Sequence, residues 1–275
     1  MRIEALKKQI QAKKSFLCVG LDVDLEKVPE HIKAMEDPLY EFSKAIIDST
    51  AAYAVAYKPN IAFFETYGPE GMASLKRVMG YLNNKHPEIF TIADAKRGDI
   101  GNTATRYAKA YFKTYNFDSI TVAPYMGKDS VEPFLSFDEK YAILLALTSN
   151  GGSSDFQTQQ VGGQMLYEKV IQTSVEWQGS ERLMYVVGAT KANALRKIRE
   201  LIPNSFLLIP GVGAQGGSLT EVAENGLSID VGLLVNSSRG IIYASTDENF
   251  AREAEKAARE LQSQMETILK NKNYI

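Results

Sequence analysis

The segment TIADAKRGDIGNT spans residues 91–103 and joins a buried-looking apolar run to a stretch with helical periodicity. Asp94 and Lys96 lie two residues apart at the end of that run, so we expect both side chains on one face of a strand. Asp99 follows across a turn that Gly98 makes easy. Scattered charges at a strand-to-loop junction are usually just solvated. An Asp-Lys-Asp set at the end of an apolar strand is instead typical of a catalytic site in a barrel.

Apolar runs of similar length lie on both sides of this segment, separated by stretches with helical period. Their near-continuous hydrophobicity is expected of parallel strands that are buried on both faces. The eight predicted strands are 16–22, 53–59, 90–96, 119–124, 141–147, 183–189, 206–211 and 232–238. The clearest predicted helices are 39–52, 103–115, 164–177 and 250–269.

Eight strand–helix units predict an α/β protein of the (β/α)8 TIM-barrel type with a short N-terminal helix. The chain of 275 residues has the size of one such barrel, and we expect a single domain over 1–275. The alternative, an open doubly wound sheet, usually stops at about five or six strands. The longest irregular stretches are predicted at 22–38 and 148–163, each directly after a strand. The stretch 148–163 fits a lid and a plain connection equally. The stretch 24–37 fits a substrate lid and an oligomer contact equally.

Charged residues also close the first two predicted strands, where Asp22 and Lys58 stand. Together with Asp94, Lys96 and Asp99 they predict an array of alternating charge at one mouth of the barrel. Packing does not explain such a set, because each buried charge costs several kcal/mol unless it is paired. Carboxylates that flank each lysine favour its ammonium form.

Two further segments predict a phosphate site. PGVGAQGG (210–217) follows the seventh predicted strand and NSSRG (236–240) follows the eighth. TIM barrels often bind phosphate on these two loops, with backbone N–H groups and a helix N-terminus as donors. Glycines let the backbone approach the anion, and Arg239 offers a planar fork of donors.

Several classes of site are disfavoured by composition. One cysteine, Cys18, cannot form an internal disulfide, and in its apolar run it is interpreted as a small buried hydrophobe. The two histidines, His31 and His86, lie in no metal-spaced cluster, so we expect no metal site and no organic cofactor. A net charge of −2 predicts no nucleic-acid partner. No apolar run is long enough for a membrane span, and the charged N-terminus predicts a cytoplasmic protein.

The chain as a whole resembles the orotidine 5'-phosphate decarboxylase family, specifically its longer bacterial type. A DxKxxD motif alone is shared by a wider superfamily of phosphosugar enzymes. The IGNT extension and the Gly-rich element PGVGAQGG together restrict the resemblance within that superfamily. The resemblance is carried by the Arg239 loop and by GLDVD (20–24), YKPN (57–60), DAKRGDIGNTA (94–104), LTSN (147–150) and PGVGAQGG (210–217).

The resemblance implies a cofactor-independent homodimer that converts orotidine 5'-phosphate to UMP and CO2, the last step of de novo UMP synthesis. It implies that Lys96 donates a proton to C6 of the pyrimidine and that Asp94 lies against the substrate carboxylate. Lys58 is implied to hold the charged array and to contact the ribose. Asp99 is implied to enter the neighbouring subunit's site. The remaining implied substrate contacts are Asp22 with a ribose hydroxyl, Ile100 and Thr103 from the partner chain, Ser149 at the pyrimidine edge, and Pro210, Gly213, Gln215 and Arg239 around the phosphate.

Two alternatives remain at this point. The first is a metal-dependent decarboxylase or aldolase of a keto-sugar phosphate, which needs strand-end acids to hold the metal. Against it, Pro59 and Asn60 follow Lys58 where a further glutamate would be expected. The second is a non-catalytic barrel that binds phosphometabolites, which would leave Lys96 between two carboxylates without a purpose.

Overall fold

A computed structural model describes residues 3–212 and 216–275. Its strands are β1 (Leu17–Leu21), β2 (Ala54–Pro59), β3 (Phe90–Arg97), β4 (Ser119–Val122), β5 (Tyr141–Leu147), β6 (Gln160–Val161), β7 (Gln164–Met165), β8 (Leu183–Val187), β9 (Leu207–Pro210) and β10 (Leu233–Ser237). Eight of them close a parallel barrel in the order β1-β10-β9-β8-β5-β4-β3-β2, and β6 and β7 form a separate antiparallel hairpin. The predicted (β/α)8 barrel is therefore confirmed.

Helices separate the strands along the chain, and a short helix precedes β1 as predicted. They are α1 (Ile3–Lys13), α2 (Glu30–Lys33), α3 (Pro38–Thr50), α4 (Ile61–Glu65), α5 (Gly68–Lys85), α6 (Gly101–Lys109), α7 (Glu132–Leu135), α8 (Ser153–Phe156), α9 (Leu166–Ser174), α10 (Ala192–Leu201), α11 (Leu219–Gly226), α12 (Arg239–Ile242) and α13 (Phe250–Asn271). No helix in the described part of the chain is long and apolar enough to cross a bilayer.

The barrel strands are buried almost throughout, which is why their sequences read as apolar runs rather than alternating ones. Most exceptions lie at carboxyl ends, as in β3 and β9, and Leu145 of β5 is also half-buried. In β3 the first four residues are buried, whereas Asp94 is half-buried and Lys96 is exposed.

The chain divides into two compact units. The first contains the segment up to Ala95 together with Lys113–Asp118 and Asn236–Ile275. In this unit α3 is capped by Asp37, whose side chain accepts a hydrogen bond from the Tyr40 N–H at 3.1 Å. Phe42 of α3 stacks on Phe250 of α13, with ring centroids 5.0 Å apart. The stacked rings join α3 to α13.

The second unit contains Lys96–Phe112 and Ser119–Val235. Arg199 of α10 donates to the carbonyls of Gly226 (2.9 Å) and Gly232 (3.0 Å) and so secures the turn before β10. In the same unit Lys197 pairs with the buried carboxylate of Glu168 at 2.7 Å.

Four predicted segments differ in detail from the structure. The helix predicted over 164–177 is the shorter α9, which follows the two-residue strand β7, and the stretch 22–38, predicted to be irregular, contains α2. The helix predicted over 103–115 begins at Gly101 as α6, ends at Lys109 and continues as a wider π-helical turn over Ala110–Thr114. The stretch 148–163, predicted to be irregular, contains α8 and one strand of the β6–β7 hairpin. Its glycines and serines hide both elements, because the helix is one turn long and the strands have two residues each.

Candidate active site

In the first unit, strand register brings three predicted site residues together. Gly20 of β1 is paired with Lys58 of β2, so Asp22 comes just beyond the lysine. A bridge between Asn60 and Asp94 aligns the ends of β2 and β3. As a result the Lys58 Nζ lies 2.7 Å from Asp94 Oδ2 and 3.9 Å from Asp22 Oδ1.

Lys58 is held as a buried cation by these carboxylates. The residue is only 4% exposed, and burial alone would lower the pKa of its ammonium group. The negative charges of Asp94 and Asp22, with the hydrogen bond to Asp94, outweigh burial and raise the pKa above its ordinary value. Lys58 is therefore a fixed positive charge at neutral pH.

Asp22, directly after β1, has a carboxylate oxygen that can accept a hydrogen bond from a ligand. Its Oδ1 is buried and has no hydrogen-bond partner among the described residues, although Lys58 is 3.9 Å away. Buried polar atoms are nearly always hydrogen-bonded, so such an atom calls for a ligand or water. The backbone here is fixed by Tyr243, whose hydroxyl donates to the Asp22 carbonyl at 2.9 Å and accepts from the Asp24 N–H at 2.7 Å.

Cys18 lies on β1, the strand that leads to Asp22. It is fully buried, and its thiol contacts Asn236 Oδ1 at 3.6 Å. Burial raises the pKa of the thiol to about 12, so the thiolate is not formed at neutral pH. This agrees with its interpretation as a small buried hydrophobe.

Lys96 begins the second unit and has an unusual backbone. Its φ is +47°, in the left-handed region that lysine rarely adopts. Its N–H donates to the Thr121 hydroxyl of β4 at 2.9 Å, and its side chain is exposed. A left-handed residue interrupts the alternation of an extended strand, so spacing by two does not by itself decide where the Lys96 side chain points.

The predicted partner-facing residues lie where α6 begins. The Asp99 carboxylate accepts the Ile100 N–H at 2.8 Å, and both Ile100 and Thr103 are exposed. The turn before them favours Gly98, because a Cβ there would be crowded by the Ala123 carbonyl oxygen at 3.0 Å.

Ser149 follows β5 and is half-buried. Gly188, just after β8, makes room for it, because a Cβ at Gly188 would come within 2.7 Å of both the Ser149 backbone nitrogen and its Cβ. The same loop is held by Thr148 and Gln157, which exchange hydrogen bonds of 2.7 and 2.9 Å.

The predicted phosphate loop leaves β9 after Pro210, which is half-buried. Gly211 has φ +98°, and its carbonyl accepts the Gly217 N–H at 3.2 Å, which closes the base of the loop. Gly217 admits no side chain, since a Cβ would meet Ala189 Cβ at 2.4 Å. Ser218 then caps α11, and its hydroxyl accepts a hydrogen bond from the Glu221 N–H at 3.3 Å. Gly213 and Gln215 lie outside the described residues.

Arg239 is exposed and opens α12 directly after Ser238. The Ser238 hydroxyl donates to the Gly20 carbonyl at 3.1 Å, and a Cβ at Gly20 would meet Ser238 Cβ at 2.7 Å. This close approach ties the Arg239 loop to the strand that ends in Asp22.

Sequence reasoning assigned no role to Asn60, Thr121 or Tyr243, each of which contacts a predicted site residue. Asn60 stands in the quoted YKPN string but was given no role. Thr121 and Tyr243 act through the backbone of residues distant in sequence, for which no local pattern exists.

Comparison with known proteins places these features in one family. Residues 15–254 match the sequence profile of the Orotidine 5'-phosphate decarboxylase / HUMPS family. The chain is 58% identical over 272 residues to the orotidine 5'-phosphate decarboxylase of Flavobacterium johnsoniae, covering 99% of this chain and 100% of that protein. It is 60% identical over 269 residues to that of Christiangramia forsetii, covering 98% and 99%. The OMP decarboxylase structure from Leishmania donovani superposes with a TM-score of 0.83 at 38% identity, covering 97% and 98%. The chain therefore belongs to the orotidine 5'-phosphate decarboxylase family.

Proposed function

We propose that this chain decarboxylates orotidine 5'-phosphate to UMP and CO2, the last step of de novo pyrimidine synthesis. The observation that carries the proposal is the buried Lys58 cation, 2.7 Å from Asp94, in a chain that matches decarboxylases of this name along nearly its whole length. The alternative, a metal-dependent enzyme for keto-sugar phosphates, has no support among the relatives compared.

The chemistry requires electrostatic stabilisation. Loss of CO2 from C6 leaves an electron pair in the plane of the pyrimidine, where the ring π system cannot delocalise it. A preorganised ammonium group close to C6 stabilises that charge and then supplies the proton. We assign this role to Lys96, which is the lysine at the end of β3.

Asp94 and Lys58 have complementary roles in this scheme. Asp94 faces the departing carboxylate and disfavours the bound substrate relative to the transition state. Lys58 holds the Asp94 carboxylate in place through its 2.7 Å hydrogen bond. The open Asp22 oxygen accepts a ribose hydroxyl, which satisfies a buried atom that otherwise lacks a partner among the described residues.

The remaining predicted residues bind parts of the substrate that do not react. Ser149 contacts the pyrimidine edge, and the loop from Pro210 through Gly213 and Gln215 binds the phosphate with Arg239. Binding energy from a remote phosphate can orient the base and hold loops closed, which favours the transition state. Glycine at 211 and 217 supports this assignment, since a backbone without side chains can approach an anion closely.

A direct assay tests the proposal. Orotidine 5'-phosphate is added to the purified protein, and loss of its absorbance is followed with and without a strong metal chelator. We expect turnover that the chelator leaves unchanged. No turnover, or turnover abolished by the chelator, would contradict the proposal and favour the metal-dependent alternative.

We also propose that the active form is a homodimer in which Asp99, Ile100 and Thr103 reach the partner's site. The second unit exposes several large apolar side chains: Ile100, Met126, Tyr125 (85% exposed) and Phe156 (62% exposed). The rings of Tyr125 and Phe156 lie 6.3 Å apart. Exposed apolar groups of this size are typical of protein interfaces.

Subunit mixing tests the dimer. Lys96→Ala and Asp99→Ala proteins should each be nearly inactive, because one lacks the donor and the other lacks the neighbour's carboxylate. After exchange, half of the dimers are mixed, and each of these has one intact site, so about a quarter of wild-type activity should return. A mixture that exchanges by mass spectrometry but stays inactive would place Asp99 in its own subunit's site.

We further propose a single domain over residues 1–275, since all eight parallel strands belong to one closed barrel. A cytoplasmic location is proposed on the lone cysteine, Cys18, which suits a reducing compartment.

A further inference from the structure

The backbone at Lys96 and Arg97 is held by Thr121 of β4 and by Ala123, which follows β4. Its N–H donates to the Thr121 hydroxyl at 2.9 Å. One residue later, the Arg97 carbonyl accepts the Ala123 N–H at 2.9 Å, and Gly98 packs directly on Ala123. Two hydrogen bonds therefore anchor the backbone here. Ala123 contributes its backbone N–H, and Thr121 contributes its side-chain hydroxyl.

The left-handed conformation makes these anchors necessary. At φ +47° the Cβ of a lysine is crowded by its own backbone, so the residue relaxes to an extended conformation unless its surroundings prevent it. Thr121 is 1% exposed, so its hydroxyl is shielded from competing water. A β-branched side chain also has restricted χ1 freedom, which fixes where the accepting oxygen lies.

We propose that Thr121 is a positioning residue for the reaction: it fixes the left-handed backbone of Lys96 and thereby the place of the Lys96 ammonium group. The inference rests on the proposed role of Lys96 as proton donor. Thr121 itself need not touch the substrate, because its hydroxyl acts on the Lys96 N–H.

The test compares Thr121→Val, which keeps the shape and removes the hydrogen-bonding oxygen, with Thr121→Ser, which keeps the oxygen. In Thr121→Val we expect kcat to fall on the order of 10- to 100-fold, since small displacements of a reacting group have effects of this size. KM should stay within roughly threefold, because uniform substrate binding is unaffected. Thr121→Ser should restore kcat to within about threefold of wild type. Thr121→Ala is the second variant if valine prevents folding.

Thr50→Val is the matched control. Thr50 is also fully buried, donates to the Ile46 carbonyl at 2.7 Å and contacts the Tyr57 hydroxyl at 2.7 Å. It lies at the end of α3, so its loss should lower thermal stability and leave kcat unchanged. The contrast separates loss of a buried hydroxyl in general from loss of the one that holds Lys96.

Folded Thr121→Val or Thr121→Ala with wild-type kcat would overturn the proposal. Equal losses in the valine and serine variants would also overturn it, since the oxygen would then be irrelevant. Failure of both Thr121→Val and Thr121→Ala to fold would show that the hydroxyl serves the fold and not the reaction. Absence of orotidine 5'-phosphate turnover in the wild-type protein would instead refute the proposed function, and the two failures are thus distinguishable.

Discussion

Replacing Lys58 by methionine should destabilise the fold strongly. The substitution keeps most of the side-chain volume but leaves Asp94 and Asp22 as neighbouring negative charges. Breaking a buried ion pair on one side costs about 3–5 kcal/mol. The side chains of Asp94 and Asp22 keep 12% and 21% exposure, so water partly solvates the abandoned carboxylates. We therefore expect a loss of about 2–4 kcal/mol in the free energy of unfolding at neutral pH.

The assay is urea unfolding followed by circular dichroism, arranged as a double-mutant cycle. Lys58→Met is combined with Asp94→Asn, and in a parallel cycle with Asp22→Asn. Because the Lys58–Asp94 distance is 2.7 Å and the Lys58–Asp22 distance is 3.9 Å, the first cycle should give the larger coupling, roughly 1–3 kcal/mol.

Wild-type stability in Lys58→Met would refute this reasoning. So would a stronger coupling of Lys58 to Asp22 than to Asp94, because it would reverse the order of the two distances.

Three further predictions concern other parts of the chain. Arg239→Ala should raise KM for orotidine 5'-phosphate and leave the slow reaction of orotidine without phosphate nearly unchanged; equal damage to both substrates would contradict the phosphate assignment. Burial would raise the pKa of Glu168, but Lys197 and local hydrogen bonds hold it below its ordinary 4.5. The charge of Glu168 therefore stabilises the fold above that pH. Glu168→Gln should lower the free energy of unfolding in urea by about 1–2 kcal/mol at pH near 7, and this difference from wild type should shrink as the pH falls through the acid range. Tyr243→Phe removes the hydroxyl bonded to the Asp22 carbonyl and should raise KM more than it lowers kcat, and an unchanged KM would show that this bond does not position Asp22.

The barrel and part of the site could be predicted from sequence because both follow from simple periodicity. Doubly buried strands produce apolar runs, and charges at their ends are conspicuous. That reasoning placed Asp22, Lys58 and Asp94 at neighbouring strand ends, and the register of β1, β2 and β3 brings them together.

The rest depended on contacts that leave no local pattern. The bond from Lys96 to Thr121 spans 25 positions, and that from Tyr243 to Asp22 spans 221. The left-handed backbone at Lys96 runs against the preference of lysine, so sequence predicts an extended residue there. Such exceptions to local rules are expected where function requires a fixed geometry.

The central claim, that Lys96 supplies the proton to C6, is tested most directly by Lys96→Ala. Decarboxylation of orotidine 5'-phosphate is measured at saturating substrate, and UMP binding is measured by calorimetry on the same folded preparation. General acid catalysis is worth about 10²–10⁴-fold, so we predict at least that loss of kcat, with UMP binding retained. A folded Lys96→Ala protein that turns over within about tenfold of wild type would contradict the account.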